Sequence, residues 1–147
     1  MYGTLHPHRI CYPYSLAIPA TLMNPQLPLP ARITRGLILS LTNTCYFVYN
    51  DTVIHDAKGG QAKEARGCIN TYPVPVKLRC CANEESSFMS DDLLEENKVL
   101  IDRAISLIPR DKMIVIFPKI GLGWNKLDEK APLTYKYLMS ELNKLTQ

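Results

Sequence analysis

Two glycine-containing segments have the composition of loops that bind phosphate. The first, AKGGQA, runs from Ala57 to Ala62 and brings Lys58 next to two glycines, and the second, KIGLGW, runs from Lys119 to Trp124. Glycines lack a Cβ atom and let backbone N–H groups come close to phosphate oxygens, and a lysine adds a full positive charge. Each pattern also suits an ordinary turn, so one such segment alone is weak evidence for a ligand.

Each segment follows an apolar run that predicts a β-strand. CYFVY, residues 45–49, precedes the first segment, and MIVIF, residues 113–117, precedes the second. MIVIF has no polar residue, which is typical of an inner strand that is covered on both faces. Ligands bind at the carboxyl ends of the strands in open α/β sheets. The two segments are therefore predicted to meet at one edge of a sheet and to hold a diphosphate between them.

Helical patterns alternate with these strands. QAKEAR predicts a short helix that begins on the glycine pair, an apolar stripe predicts a longer helix from about Asp91 to Ile108, and APLTYKYLMSELNKL predicts a closing helix that begins near Pro132. The two prolines of CINTYPVPVKL exclude a helix there and permit a strand only at an edge or in a bulged form. This alternation predicts the α/β class, as a three-layer domain with a mixed, largely parallel sheet and helices on both faces.

Composition divides the chain into two parts. Residues 1–30 contain six of the eleven prolines and one charged side chain, Arg9, which favours extended or polyproline segments. We expect residues 1–30 to form a proline-rich N-terminal extension outside the site. With 147 residues the chain is long enough for one domain with a core and short for two, so residues 31–147 are predicted to form a single domain.

The charge balance and the cysteines indicate which kinds of partner and which cellular location to expect. The 17 basic and 14 acidic residues give a formal charge of +3, which is no strong nucleic-acid signal and is compatible with an anionic small ligand. Of the five cysteines, only Cys80 and Cys81 are close in sequence, and their spacing fits neither a zinc site nor a disulfide framework. We expect reduced thiols, a cytoplasmic location and, since GLILSLTNTCYFVY is too short and hydroxyl-rich to span a bilayer, no membrane contact.

Three segments together cover roughly Ile33 to Leu145, namely VYNDTVIHDAKGGQAKEARGCINTYPVPVK, FMSDDLLEENKVLIDRAI and FPKIGLGWNKLDEKAPLTYKYL. They resemble a family of uncharacterised, macrodomain-like small proteins that is frequent in bacteriophages. The family features are a Gly-Asp-Asn turn, a Gly-Lys-Gly-Gly-Gln-Ala loop, an Asn followed by a Pro-Thr-Lys segment, and a late Gly-x-Gly stretch. The resemblance implies a macrodomain-like fold and, if the chain is phage-encoded, a place in the host cytoplasm.

Macrodomains as a group bind ADP-ribose or its derivatives, so the resemblance implies a small-molecule nucleotide such as ADP-ribose as partner, without a further cofactor. Together with the two lysines, the positions that match the family place the ligand in a turn and two loops. These ligand-binding positions are Asn50, Asp51, Thr52, Lys58, Gly59, Gly60, Gln61, Ala62, Lys119, Gly121, Leu122, Gly123 and Trp124.

Two departures from the family pattern bear on catalysis. The Gly-Asp-Asn turn is Asn50-Asp51-Thr52 here, and the first glycine of the loop is Ala57. A hydroxyl thus replaces an amide that would orient the substrate, whereas backbone donors persist, so binding tolerates the changes better than hydrolysis does. No catalytic residue is assigned, and three alternatives stay open: an ADP-ribosyl hydrolase or phosphatase, a non-catalytic nucleotide-binding module, and a phage structural or accessory protein with a vestigial pocket. Asp51 either accepts a hydrogen bond from the ligand or ties its own turn.

The remaining candidates for chemistry are weaker. His6, His8 and Cys11 have near-ligand spacing, but no acidic residue accompanies them, and we predict no metal site. The acidic residues Asp91, Asp92, Glu95 and Glu96 are predicted to cap a helix start and to be solvated. The adjacent thiols at positions 80 and 81 are predicted to be core or surface groups rather than nucleophiles. Trp124 either packs in the core or stacks on a ribose or base.

Overall fold

Strands and helices alternate along the chain. The computed structural model describes residues 11–13, 32–80 and 83–145. Its strands are β1 (Cys11–Pro13), β2 (Cys45–Thr52), β3 (Thr71–Lys77) and β4 (Met113–Ile116). Its α-helices are α1 (Arg35–Ser40), α2 (Gly60–Ala65), α3 (Leu94–Ser106), α4 (Leu127–Lys130) and α5 (Pro132–Lys144). The predicted α/β class is confirmed, and the short helix α4 is an element that the sequence patterns did not predict.

The described strands form one sheet in the order β1-β4-β2-β3, and every pairing between them is parallel. The sheet is therefore parallel throughout its described strands rather than mixed. β4 lies between β1 and β2, as predicted for MIVIF, and Ile114 and Ile116 are 0% and 5% exposed. Successive side chains of a strand point to opposite faces, and all four β4 residues are buried, so both faces of this strand are covered.

β3 lies at the edge of the described sheet, as the prolines of its sequence predict. Its pairing with β2 is irregular at one end. Asp51 pairs with Pro75, whereas the next residue, Thr52, pairs with Lys77, so Val76 is an extra residue in β3. Such a bulge changes the direction in which the following side chain points. It lies at the carboxyl ends of the two strands, where the ligand is expected.

The core lies between the sheet and the helices. Phe47 is fully buried in β2, and its ring meets that of Phe117 edge-on, with 6.3 Å between centroids. α3 packs against β3 and α5, and α2 packs against β2. The apolar stripes of the two long helices are buried at Ile101 and Ile105 in α3 and at Leu138 and Leu142 in α5. These helices therefore form by burying one face, as their periodicity predicts.

The acidic segment before α3 caps a different helix from the one expected. The segment Asp91–Leu93 is a 3₁₀ turn, and α3 begins only at Leu94. The Asp91 carboxylate accepts hydrogen bonds from the N–H groups of Leu133 and Thr134, each at 2.9 Å, in the first turn of α5. Ala131, the residue before α5, makes no side-chain hydrogen bond to the first turn of the helix. Asp91, which precedes α3 in the sequence, accepts hydrogen bonds from that turn instead.

Part of the predicted N-terminal extension belongs to the sheet. The backbone of residues 11–13 pairs with residues 114–116 of β4. The division into residues 1–30 and 31–147 stays a prediction.

Within the described segments, no helix has both the length and the apolar character of a membrane span.

Candidate functional site

A cavity of about 510 Å³ opens where β2, β3 and β4 end. Small-molecule sites have volumes of roughly 300–1,000 Å³, so the cavity is large enough for one. Three of its described lining residues are lysines, and none of the described lining residues is acidic. The lining consists of Asn50, Thr52, Ala57, Lys58, Gly59, Gly60, Gln61, Lys77, Cys80, Lys119, Leu122, Gly123, Trp124 and Asn125. Its positive charge favours an anionic ligand.

Both predicted loops contribute to this lining. Of the predicted ligand-binding positions, the structure brings together all but Asp51, Ala62 and Gly121. It adds four residues that the sequence patterns did not assign to the site, namely Ala57, Lys77, Cys80 and Asn125. The loops come together because β2 and β4 are neighbouring parallel strands, whose carboxyl ends lie at the same edge of the sheet.

The glycines of the lining face open space. A Cβ atom added to Gly59, Gly60 or Gly123 would meet no atom within 4 Å. Gly60 has φ of 56° and Gly123 has φ of 66°, in the left-handed region that favours glycine. Gly59 instead has an extended backbone, with φ of −110° and ψ of −178°. The first loop therefore leaves room for a ligand directly against its backbone.

The amides of Gln61 and Asn50 fix the spacing between the two loops. Gln61 donates from Nε2 to the Pro118 carbonyl oxygen at 2.7 Å, and its Oε1 accepts from the Asn50 N–H at 2.9 Å. Asn50 Oδ1 accepts from the Gly121 N–H at 2.9 Å. Both functions of the Gln61 amide are therefore used inside the protein. Gln61 supports the site although it also lines it.

Two predicted ligand-binding residues are packing positions instead. Gly121 is buried with φ of 81°, and a Cβ there would come within 3.2 Å of Leu127 and Tyr135. Ala62, a residue of α2, is 2% exposed and belongs to the core. The glycine at position 121 is thus required by the close approach of α4 and α5. Neither residue lines the cavity.

The Asp51 side chain holds the first loop in place through hydrogen bonds. Its side chain is buried and accepts hydrogen bonds at Oδ1 from Arg66 Nη2 at 2.6 Å and from the N–H groups of Thr52 and Ala57 at 2.8 and 3.3 Å. His55 Nδ1 lies 3.1 Å from its other oxygen. The hydrogen bond to Asp51 raises the pKa of the Arg66 guanidinium. The geometry matches a carboxylate that holds its own turn, and Asp51 is outside the cavity lining.

The hydroxyl of Thr52 is also engaged within the loop. Thr52 Oγ1 donates to Asp56 Oδ1 at 2.6 Å and accepts from the Asp56 N–H at 3.0 Å. The Cys80 N–H donates to the same carboxylate oxygen at 2.8 Å. The hydrogen bond from Thr52 is the main cause that lowers the pKa of Asp56, against the opposing effect of burial. This network joins the end of β2 to the residues that follow β3.

Lys77 is the main site residue that sequence reasoning missed. It is the last residue of β3, is 7% exposed and lines the cavity. Its Nζ atom lies 4.7 Å from the centroid of the Phe88 ring. Burial lowers the pKa of this lysine. The sequence signals were its position at the carboxyl end of a predicted strand and its place at the end of the segment that resembles the family's Pro-Thr-Lys feature. Neither its burial nor its neighbours are visible in the sequence.

The tryptophan of the second loop is exposed. Trp124 is 81% exposed, so it is not a core residue and the stacking alternative remains.

The cysteines and the candidate metal ligands have different outcomes. Cys80 is disulfide-bonded, which contradicts the expectation of reduced thiols at this position, whereas Cys45 and Cys68 are free and buried. Among the described residues, no group of three His, Cys, Asp or Glu side chains is placed to hold a metal ion. His6, His8 and Cys81 lie outside the described residues.

A comparison with known protein families gives a match. The model of a family of unknown function (DUF7831) matches residues 31–141, which is most of the chain. The chain belongs to this family. No curated protein and no solved structure matches it. The family description names no activity, so a function for the chain has to be argued from the geometry of the cavity.

Proposed function

We propose that this chain binds a nucleotide diphosphate of the ADP-ribose type, with the diphosphate between the two glycine-containing loops. The observation that carries the proposal is the cavity of about 510 Å³, whose described lining has three lysines and no acidic side chain. A diphosphate is an anion, and Lys58, Lys77 and Lys119 offer charges of the opposite sign. The open space at Gly59 and Gly60 lets a phosphate approach the backbone N–H groups of the first loop.

The aromatic residue at the second loop supports a nucleotide rather than inorganic phosphate. Trp124 lines the cavity although it is 81% exposed. An indole ring in this position offers a flat apolar surface on which a base or a ribose stacks. The sequence lacks a Gly-Lys-Ser/Thr phosphate loop, which argues against a triphosphate held through Mg²⁺. We therefore expect ADP-ribose to bind more tightly than ATP.

The finer description of the fold is part of the same proposal. The resemblance to macrodomain-like phage proteins suggests a three-layer arrangement, a phage origin and a place in the host cytoplasm. A strand that is buried on both faces, as β4 is, supports the layered arrangement. The parallel pairing of β2 and β4, which brings the two loops together, supports the ligand class that the resemblance implies.

Binding without turnover is the reading that the loop geometry favours. The Thr52 hydroxyl donates to Asp56 and accepts from its N–H, so it is committed to its own turn. We expect the unmodified chain to release no ADP-ribose from ADP-ribosylated protein and no phosphate from ADP-ribose 1''-phosphate. Chromatography of both reactions, beside a Thr52→Asn variant, measures this. Release by the unmodified chain would make the protein a hydrolase or a phosphatase.

The ligand is tested by a charge placed in the first loop. Gly59→Glu adds a carboxylate to the lining at a position with an extended backbone and open space, so the fold has no reason to change. Calorimetry with ADP-ribose, ADP, NAD and ATP is expected to show ADP-ribose binding to the unmodified chain. We expect Gly59→Glu to weaken it at least about tenfold, which corresponds to about 1.4 kcal/mol.

The matched control is Gly59→Ala, which adds the Cβ without the charge and is expected to keep the affinity of the unmodified chain. Gly60→Glu is a poorer test, since a side chain at φ of 56° strains the backbone whatever the space around it. Equal affinities of Gly59→Glu and Gly59→Ala for ADP-ribose, at equal melting temperatures, would move the phosphate site away from this loop.

A further inference from the structure

The side-chain amide of Asn50 is engaged at its oxygen and available at its nitrogen. Asn50 Oδ1 accepts a hydrogen bond from the Gly121 N–H at 2.9 Å, and the Asn50 backbone N–H donates to Gln61 Oε1 at 2.9 Å. In the described part of the chain, no acceptor pairs with Asn50 Nδ2. A primary amide nitrogen carries two N–H groups, so Asn50 keeps two donors for another partner.

These donors are accessible from the cavity. Asn50 is half-buried and lines the cavity. Among the described residues, Asn70 Oδ1 is the one fully buried side-chain polar atom that lacks a partner, so the Asn50 nitrogen is not sealed inside the protein. β2 lies between β3 and β4 in the described sheet, and Asn50 is close to its carboxyl end, where the cavity opens. The two N–H groups therefore face the space in which a ligand binds.

The direction of the two donors is set before a ligand arrives. A backbone N–H pairs with the oxygen of a side-chain amide and not with its nitrogen, so the bond to Gly121 fixes which way the Asn50 amide points. Gly121 is itself closely packed, since a Cβ atom there would come within 3.2 Å of Leu127 and Tyr135. The Asn50 backbone pairs with Val74 of β3. A donor that is already ordered loses little conformational entropy on binding.

The other amide and hydroxyl side chains of the described lining donate inside the protein. Gln61 and Asn125 donate to backbone carbonyl oxygens at 2.7 and 3.3 Å. The Thr52 hydroxyl donates to Asp56. Among the amides and the hydroxyl of this described lining, Asn50 is thus the residue whose donors have no protein acceptor.

Asn50 lies between the two glycine-containing loops. It bonds to Gln61 of the first loop and to Gly121 of the second. The proposed function puts the diphosphate between these loops, so its oxygens come close to Asn50. Lys58 and Lys119 are exposed, and a lysine carries its charge on a long flexible stem, which attracts an anion without fixing its position. The Asn50 donors are neutral and fixed, so they select a ligand by the position of its oxygens.

We propose that Asn50 makes the site specific for two linked phosphates, because its two Nδ2 N–H groups donate to one oxygen of each phosphate. The inference rests on the proposed function, which supplies the place of the diphosphate. The two N–H groups of an amide point in different directions and reach different acceptors. A single phosphate held by one loop leaves one of the donors without an acceptor, and an unmade hydrogen bond lowers affinity. The site therefore binds pyrophosphate and nucleotide diphosphates more tightly than phosphate and nucleotide monophosphates.

Nuclear magnetic resonance of the full, isotope-labelled chain tests the contact directly. The protein is titrated with pyrophosphate, phosphate and ADP-ribose at constant ionic strength. The side-chain amide signals of Asn50 are assigned through the backbone and confirmed by their absence in Asn50→Asp, which keeps an oxygen for the Gly121 N–H. We expect pyrophosphate and ADP-ribose to move these proton signals downfield, and phosphate to move them less. The side-chain signals of Asn43, which is exposed and precedes β2 at the end away from the cavity, are expected to stay in place.

Calorimetry measures the same contact as an affinity. Asn50→Ala is expected to weaken the binding of pyrophosphate and ADP-ribose at least about tenfold, as the loss of a hydrogen bond to a charged group does, and to weaken phosphate binding less. Asn43→Ala removes an exposed amide outside the site and is expected to leave all three affinities unchanged. Circular dichroism checks that both variants are folded at the temperature of the titration.

The outcomes separate this inference from the proposed function. Shifted Asn50 signals with pyrophosphate, without binding of ADP-ribose, support the role of Asn50 and overturn the proposed nucleotide. Binding of ADP-ribose with unmoved Asn50 signals overturns the role of Asn50 and leaves the proposed nucleotide standing, even where Asn50→Ala binds weakly, because the residue then only holds the second loop. Equal affinities for phosphate and pyrophosphate overturn the specificity. The signals are read on the unmodified chain, so the matter is decided even where a variant fails to fold.

Discussion

The residues at the site are of two kinds. Some line the cavity, and others hold the lining residues in place. Asp51 is the clearest member of the second kind, because its buried carboxylate joins the end of β2 to Ala57 and Arg66. A buried carboxylate that loses its charge leaves its cationic partner without compensation. The first loop, and with it Lys58 and Gly59, therefore depends on a residue that does not itself line the cavity.

Asp51→Asn is expected to destabilise the protein by about 2–3 kcal/mol, below the usual cost of breaking a buried ion pair because one partner is partly solvated. The Arg66 side chain is 37% exposed, whereas that of Asp51 is fully buried. Urea unfolding measures the difference. Asp128→Asn, at an exposed carboxylate in the first turn of α4, is the control and is expected to change stability by less than about 0.5 kcal/mol. Equal unfolding midpoints for the two variants would contradict this role of Asp51.

The sequence could predict the residue types of the site but not their partners. Glycines and lysines after two strands identified both loops, because loop chemistry is local. The roles of Gln61 and Gly121 were not predictable, since their partners Pro118 and Asn50 lie 57 and 71 positions away. Lys77 was missed because its burial depends on packing against Phe88, which the sequence pattern does not reveal.

Among the helices, α5 is capped at its first turn by a residue that lies outside it. Asp91 accepts from the N–H groups of Leu133 and Thr134 and from the Thr134 hydroxyl at 2.8 Å. The same hydroxyl accepts from Asn97 Nδ2 at 3.0 Å, which joins α3 to α5. Burial acts to raise the pKa of Asp91, but these three hydrogen bonds outweigh it, so the pKa lies below its ordinary value.

Asp91→Ala is expected to cost about 1–2 kcal/mol of stability at neutral pH, as the loss of a helix cap does. The folded-state pKa of Asp91 is lowered, so its contribution is fully present above the ordinary aspartate pKa and is lost as the pH falls through the lowered value. The gap between the two proteins in urea unfolding should therefore close in acid. Asp92→Ala, at the exposed neighbouring residue, is the control. A gap that stays constant down to low pH would show that the charge of Asp91 is not what stabilises α5.

The elements themselves were largely predictable, and the exceptions have a physical cause. The prolines placed β3 at an edge, the apolar run placed β4 inside, and Pro132 marked the first turn of α5. The prolines also allowed a bulge in β3, but its position was not predictable, because a register shift depends on the pairing with β2. α4 was missed because its four residues are too few to show a helical period.

At the scale of the whole molecule, the sheet joins the predicted extension to the domain. Residues 11–13 pair with β4, which makes β4 an inner strand of the described sheet. The described lining of the cavity, in contrast, runs from residue 50 to residue 125. Residues 11–13 are thus attached to the sheet at β4, on the side away from β2 and β3. Stability and ligand binding should respond differently when these residues are removed.

Deletion of residues 1–30 is expected to lower the free energy of unfolding by about 1–3 kcal/mol, because a few backbone hydrogen bonds of about 1 kcal/mol each are lost. Affinity for ADP-ribose is expected to stay within about threefold of the full chain, since no described lining residue is removed. Urea unfolding and calorimetry measure the two quantities, at a temperature where circular dichroism shows both proteins folded. A truncated chain that is folded and no longer binds would place part of the site in residues 1–30.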